Sequence, residues 1–375
     1  MKYMGSKRAM LQNGLGELLN HEVVDARRFV DLFAGSGAVA IHVARKFPIP
    51  VLAFDLQSYS VVLTAAVVDR QEPFDWQPRW EEWLQRATVQ FKPRRISKAE
   101  RITQPVVAHV RAWCDQQIEL PITKAYGGHY FSPQQAVWID ALRSTLPPHE
   151  PAKTVALAAL IQAASQCAAA PGHTAQPFQP TRTAKRFVKE AWDKEIVEKT
   201  KAVFEFLAGL FAQRLGEAKV DDANQAAQRL IEGDLVFIDP PYSGVHYSRF
   251  YHVLETIAHG SCGQVMGIGR YPAPEFRPRS KFSVSSESAE ALDDLLKTIA
   301  TKRASAILTF PDHDCSNGLS GDSVREIAAK HFRIRERHVV SKFSTLGGTG
   351  DDRDNEAGRS ARKHARELML VLKPK

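Results

Sequence analysis

Arg28-Phe29-Val30-Asp31-Leu32-Phe33-Ala34-Gly35-Ser36-Gly37, continued by Ala38-Val39-Ala40-Ile41, is the stretch from which the rest of the chain can be ordered. An apolar run ends in an acid, a Gly-x-Gly turn follows, and small and apolar residues then recur at helical spacing. This predicts strand, tight turn, helix. A second apolar run, Val51-Leu52-Ala53-Phe54, closes on Asp55. Strand, helix and strand of this kind make a parallel pair with a right-handed crossover. The same signature returns at Leu235-Val236-Phe237-Ile238, again closed by an acid, Asp239. Further strands are expected at 304–310 and 367–372, with a helix over 323–331.

Between these blocks the texture changes. Trp76, Trp80 and Trp83 lead into a basic stretch from Lys92 to Arg101, and helical patterns follow at 105–117, 133–144, 153–169 and 185–215. The expected organisation is one α/β domain split in sequence, residues 1–70 and 215–375, with a mainly helical insertion at 71–214. The run 347–354 reads as a surface loop.

Composition narrows the classes. The 375 residues carry a formal charge of +8, which suits a polyanionic partner without proving one. No apolar stretch approaches the roughly 18 residues of a membrane span, and the N-terminus lacks the apolar core of a secretory signal. Cys114, Cys167, Cys262 and Cys315 lie far apart, so reduced thiols are expected rather than disulfides or a zinc site. The thirteen histidines show no ligand spacing, which disfavours a metal.

Two constellations carry chemistry. In the first, Gly35 and Gly37 let the backbone turn sharply and approach a ligand, while the following helix offers free N–H groups. Asp55, ending the second strand, stands where a nucleotide's ribose hydroxyls are held. A dinucleotide fits less well, because Ala40 replaces the third glycine of Gly-x-Gly-x-x-Gly, and Asp31 favours a cationic amino group over a pyrophosphate. In the second, Asp239-Pro240-Pro241-Tyr242 directly follows a strand. The prolines fix an extended turn. The Asp239 carboxylate and the Pro240 carbonyl could each accept one hydrogen from an amino group attacking a methyl sulfonium, stabilising its growing positive charge. A base must leave the duplex to reach such a pocket, and Tyr242 supplies a ring face for it.

Taken together, the motifs resemble the D12 class of N6-adenine-specific DNA methyltransferases. Lys2-Tyr3-Met4-Gly5-Ser6-Lys7 is similar to that family's N-terminal motif, 31–37 to its cofactor loop and 239–242 to its catalytic motif, in the α-type order. The resemblance implies a Rossmann-like fold, S-adenosylmethionine as cofactor, double-stranded DNA as partner, base flipping, and a target-recognition domain within the helical insertion. It implies that Tyr3 and Lys7 border the cofactor, that Phe33 and the glycines wrap its methionine part, that Asp55 binds its ribose and that Asp222 meets its adenine amine. Asp239, Pro240, Pro241 and Tyr242 become the catalytic set.

Residues 269–281 carry Arg270, Arg277, Arg279 and Lys281 among aromatics and prolines, a pattern suited to phosphates and stacked bases. A solvated loop reads almost equally well. For 126–131, DNA contact and packing stay open. Methylation of an RNA base or a protein glutamine, and a non-catalytic DNA-binding regulator, remain as alternatives. The setting expected is the cytoplasm of a bacterium or phage-infected cell, with the oligomeric state open and a dimer among the options.

Overall fold

The computed structural model describes residues 7–91, 101–341 and 365–375. Tyr3 of the N-terminal motif, the basic stretch at 92–100 and the glycine-rich run at 347–354 lie outside those residues.

Nine strands occur among the described residues: β1 (Arg28–Asp31), β2 (Val51–Asp55), β3 (Glu217–Val220), β4 (Asp234–Ile238), β5 (Val265–Met266), β6 (Tyr271–Pro272), β7 (Ser305–Pro311), β8 (Phe332–Ser341) and β9 (Ala365–Pro374). Seven form one sheet in the order β3-β2-β1-β4-β7-β9-β8. The pairs from β3 to β7 are parallel, and β9 runs antiparallel to both β7 and β8. The fold is Rossmann-like α/β, as expected from the first strand-turn-helix unit.

Two strands of the seven-stranded sheet, β3 and β8, had no counterpart in the sequence, nor did the short pair β5 and β6 outside it. Glu-Ala-Lys-Val of β3 buries only Ala218, and β8 sets Arg333, Arg335 and Arg337 on alternate positions. Both end the sheet, and edge positions tolerate polar strands that periodicity reads as loop.

The chain divides into two compact units. Of the described residues, one comprises those up to Leu56, Gln213–Tyr247 and those from Arg279 onward; the other comprises those within Gln57–Ala212 and Ser248–Pro278. The sheet unit has an apolar core that includes Val30, Leu32, Val236, Ile238, Leu292, Leu308 and Leu370. In it β1 and β4 pair through Arg28↔Asp234 to Asp31↔Phe237. Sheet order reverses between these strands: β1 leads outward to β2, β4 to β7 on the other side. A crevice outside the carboxyl ends of the strands opens at such a switch point.

The second unit is helical around Ala152–Cys167, a helix buried on nearly every side. Its alanines let Ser58–Val68, Pro133–Ser144, Ile196–Ala208 and Ser248–His259 pack closely against it. This unit therefore takes in two pieces that sequence contiguity had placed with the sheet, the helix after β2 and the segment after residue 247. Glu255 explains part of that grouping, because its carboxylate accepts from the amides of Ser58 and Tyr59 at 2.9 and 3.0 Å and caps their helix.

The single helix expected over 185–215 is two, Lys185–Trp192 and Ile196–Ala208. The Gln135 amide donates to the carbonyls of Ala191 and Lys194 at 2.9 and 2.8 Å, satisfying acceptors at the break. Residues 126–131 resolve to packing: Tyr126, Tyr130 and Phe131 are fully buried, and the Tyr130 hydroxyl donates to the Thr174 and Gly269 carbonyls.

Candidate active site

The loop after β1 is shaped by its own backbone. Gly35 and Gly37 take φ of +53° and +72°, the left-handed region that a side chain disfavours. Gly37 starts the helix Ala38–Lys46 with no side-chain cap, leaving first-turn amides available to a ligand. The Gly35 amide donates to Asp55 Oδ2 at 2.8 Å, so the acid ending β2 tethers the loop. Phe33 is half-buried and meets Phe282 edge-on at 5.0 Å.

Asp31 sits at the end of β1, 1% exposed. Its Oδ1 accepts from the Phe33 amide at 3.1 Å, and among the described residues no cation pairs with it. Burial pushes its pKa up to about 8, with the charges of Asp239 and Asp55 adding to the rise. Asp222 caps the short helix Ala223–Ala227, its Oδ1 accepting from Asn224 and Gln225. Its neighbour Asp221 is bound to Arg229.

Asp239 follows β4 on the other side of the switch point. Its Oδ1 accepts from the Thr309 hydroxyl at 2.8 Å and lies 3.0 Å from Lys7 Nζ. Lys7 also donates to Glu367 Oε2 at 2.9 Å. Burial raises the Asp239 pKa, an effect that the Lys7 ammonium opposes and Glu367 reinforces. For Lys7, burial works against the charge, but Asp239 and Glu367 together hold its pKa above the ordinary value.

The Asn317 amide donates to the Pro241 carbonyl at 2.8 Å and the Phe282 carbonyl at 3.0 Å, fixing the Pro-Pro turn. Among the described residues nothing donates to the Pro240 carbonyl or to Asp239 Oδ2. Tyr242 is half-buried, packs against the sheet core and meets Tyr247 edge-on at 6.3 Å.

The structure thus gathers Lys7, Asp31, Phe33, Gly35, Gly37, Asp55, Asp222 and 239–242 within the sheet unit, around the carboxyl ends of its parallel strands. Lys7 is held on Asp239 and Glu367. Sequence reasoning missed Thr309, Asn317 and Glu367. The only local signal was an acid heading the last apolar run.

The basic residues at 269–281 are distributed differently. Arg270 and Arg277 belong to the helical unit, Arg279 and Lys281 to the sheet unit. Arg270 donates to the carbonyls of Ala125 and Lys124 and pairs with Asp115 at 3.0 Å. Arg277 lies over the Tyr271 ring, Arg279 pairs with Glu287 at 2.5 Å, and Lys281 is exposed. Among the described residues no group of acids, histidines and cysteines is arranged to hold a metal, and no helix is long and apolar enough to cross a membrane.

A mostly parallel sheet with a glycine loop after β1 and Asp-Pro-Pro-Tyr after β4 has the architecture of a Rossmann-like methyltransferase. The family model for D12 class N6 adenine-specific DNA methyltransferases matches residues 3–103 and 139–308, and the chain belongs to that family. Modification methylase LlaI of Lactococcus lactis subsp. lactis is 23% identical over 318 residues, 80% of this chain and 44% of that protein. Type II methyltransferase M.FokI of Planomicrobium okeanokoites is 26% identical over 315 residues, 79% of this chain and 42% of its own. Type II methyltransferase M.NlaIII of Neisseria lactamica is 28% identical over 271 residues, 69% of each. The chain spans less than half the length of the LlaI and FokI relatives. Family membership implies a methyl donor.

Proposed function

We propose that this chain transfers a methyl group from S-adenosylmethionine to the exocyclic N6 amine of adenine in a specific double-stranded DNA sequence, after the base is turned out of the helix. One observation carries the reading. At the switch point, no described residue donates to Asp239 Oδ2 or the Pro240 carbonyl, while Thr309, Lys7 and Asn317 occupy the acceptors beside them.

The glycine loop fits the cofactor. Positive φ at Gly35 and Gly37 permits close backbone approach, and buried Asp31, without a described cationic partner, suits an amino group. Asp55 is placed for the ribose and Asp222 for the adenine amine, with Phe33 and the loop around the methionine part; Tyr3 and Lys7 complete the expected border. S-adenosylmethionine, held there, would supply an electrophilic methyl group to the amine.

The chain's own part is orientation and charge. Asp239 and Pro240 accept the two N6 hydrogens, turning the lone pair towards the methyl and stabilising positive charge as it grows on nitrogen. Tyr242 offers its ring to the extrahelical base. The helical unit serves target recognition, with Arg270, Arg277, Arg279 and Lys281 towards phosphates. Family membership supports DNA over RNA or protein, and an intact Asp-Pro-Pro-Tyr supports catalysis over a purely regulatory role. A DNA substrate and bacterial relatives fit a cytoplasmic setting.

Methylation of plasmid DNA by the purified protein, followed by single-molecule mapping of modified bases, tests this. N6-methyladenine in one sequence context, absent with Asp239→Ala, is the expected result. Methylation at cytosine alone, or none, would overturn it.

A further inference from the structure

Three residues behind Asp239 accept nothing from the target amine in the reading above, although Lys7 borders the cofactor in it. Lys7 comes from the N-terminal turn, Thr309 from β7 and Glu367 from β9, and all three lie within the sheet unit. Lys7 is 6% exposed, Glu367 7% and Thr309 fully buried. Burying the charges of Lys7 and Glu367 beside Asp239 is expensive, and an apolar cluster of the same volume would staple these segments at least as well. The arrangement is therefore poorly explained by stability. Its geometry is directional: Lys7 and Thr309 both address Oδ1 of Asp239, from 3.0 and 2.8 Å. Glu367 holds the ammonium from the far side at 2.9 Å.

We propose that Lys7, Thr309 and Glu367 are positioning residues: Lys7 and Thr309 hold Asp239 ionised, with Oδ1 occupied and Oδ2 turned towards the target amine, and Glu367 keeps the Lys7 ammonium from cancelling that charge. The proposal rests on the reading of Asp239 as acceptor for that amine. Lys7 alone would neutralise Asp239 and weaken its pull on a developing cation. Glu367 divides the ammonium between two carboxylates, so the buried group of one lysine and two acids keeps one net negative charge. That charge is present before reaction and needs no reorganisation as nitrogen becomes positive. Thr309 fixes the carboxylate plane, since a second donor on Oδ1 prevents rotation about the Cβ–Cγ bond from exchanging the two oxygens.

Among the described residues, the charged and titratable groups facing Asp239 are Lys7, Glu367, Asp31 from the end of β1, and the Tyr242 phenol from its own turn. The acid limb of kcat reports loss of the ionised carboxylate, since activity needs the deprotonated form. Lys7 favours ionisation, so Lys7→Met moves this limb to higher pH. Glu367 opposes it, so Glu367→Gln moves the limb to lower pH while reducing kcat on its plateau. Thr309→Val moves it upward, and Thr309→Ser restores the wild-type position. KM for DNA and affinity for S-adenosylmethionine stay unchanged in the Glu367 and Thr309 variants, because the effect lies in the transition state.

The experiment is a pair of titrations on the full chain. The first records pH profiles of kcat and KM for the wild type and the four variants. The second follows carboxyl carbons by NMR in protein labelled at aspartate, with Asp239→Asn identifying the signal, and needs neither DNA nor methyl transfer. Opposite displacements for Lys7→Met and Glu367→Gln in both titrations support the proposal. Displacements of the same sign, or none in a folded variant, overturn it. Should Lys7→Met fail to fold, Glu367→Gln against Thr309→Val carries the same contrast of sign. A wild type that methylates no DNA sinks the functional reading instead, and the carboxyl titration still decides the positioning role.

Discussion

With Asp31 against the cofactor's amino group as proposed, cofactor binding should release a proton. Burial lifts its pKa to about 8 in the ligand-free protein. At pH 7 the carboxyl is then roughly 0.9 protonated, one unit below its midpoint. A cationic amino group can bind only the ionised form, so binding expels that proton. The ligand's own amine, with an ordinary pKa of about 7.7–8.0, takes up about 0.1–0.2 proton under the same conditions, leaving a net release of about 0.75. The same linkage makes apparent affinity tighten about eightfold from pH 6 to pH 7, since the proton competing for Asp31 is tenfold scarcer while the ligand amine loses a little of its own charge. Calorimetric titration of S-adenosylmethionine in buffers of different ionisation enthalpy reads the released fraction directly. The sign for stability runs the same way. A carboxyl whose pKa is raised on folding favours the fold fully only below its unfolded value of 3.8, and loses that advantage as pH rises towards 8. Asp31→Asn should therefore raise the melting temperature of the ligand-free protein at pH 8 and leave it unchanged at pH 4. Binding heats independent of buffer, with affinity flat between pH 6 and 7, would refute the placement of Asp31 against the amino group.

Asp55→Ala should weaken the cofactor by about 1–3 kcal/mol and speed hydrogen exchange at the Gly35 amide, which loses its 2.8 Å acceptor; unchanged calorimetric affinity removes Asp55 from the site. Asp234 is buried and held by Arg28 through bonds of 2.8 and 2.6 Å, so Asp234→Ala should cost about 2–3 kcal/mol in urea unfolding, towards the low end for a buried pair because Arg28 is partly solvated. Tyr242→Phe should keep the extrahelical base, whereas Tyr242→Ala should lose about 1–3 kcal/mol of stacking, read as reduced 2-aminopurine emission at the target position. Equal loss for Phe and Ala in stable proteins would show that the hydroxyl participates.

What the sequence shows of the site is what local chemistry encodes. Two short strands ending in acids, a glycine turn and a Pro-Pro turn each carry their own signature. They suffice to place Asp31, Asp55 and Asp239 at strand ends, and pairing of β1 with β4 then puts Asp31 and Asp239 on neighbouring strands. Thr309, Asn317 and Glu367 carry no such signature, because their roles arise only when β7, the turn after it and β9 come up behind β4. Ser58–Val68 illustrates the same limit in the fold. Most of its residues are buried, so no polar face declares which neighbour it wants, and its cap is supplied by Glu255, nearly two hundred residues away.

The cations at 269–281 show why counting charge falls short of locating a partner. Four positive residues within a short span looked equivalent in sequence, yet their side chains are committed to different degrees. Arg270 takes φ +54° and directs its guanidinium to two carbonyls and Asp115. Those bonds anchor the turn between β5 and β6 and use most of the donors a phosphate would need. Arg279 shares its charge with Glu287. Arg277 differs: its Nε is buried with no hydrogen-bond partner among the described residues, and its guanidinium rests on Tyr271 beside a cavity of about 320 Å³. An unmet donor on a stacked guanidinium loses least by donating to a phosphate oxygen, since no existing bond must break. What each arginine already binds therefore separates them: Arg277 keeps an unmet donor, whereas Arg270 has committed most of its own.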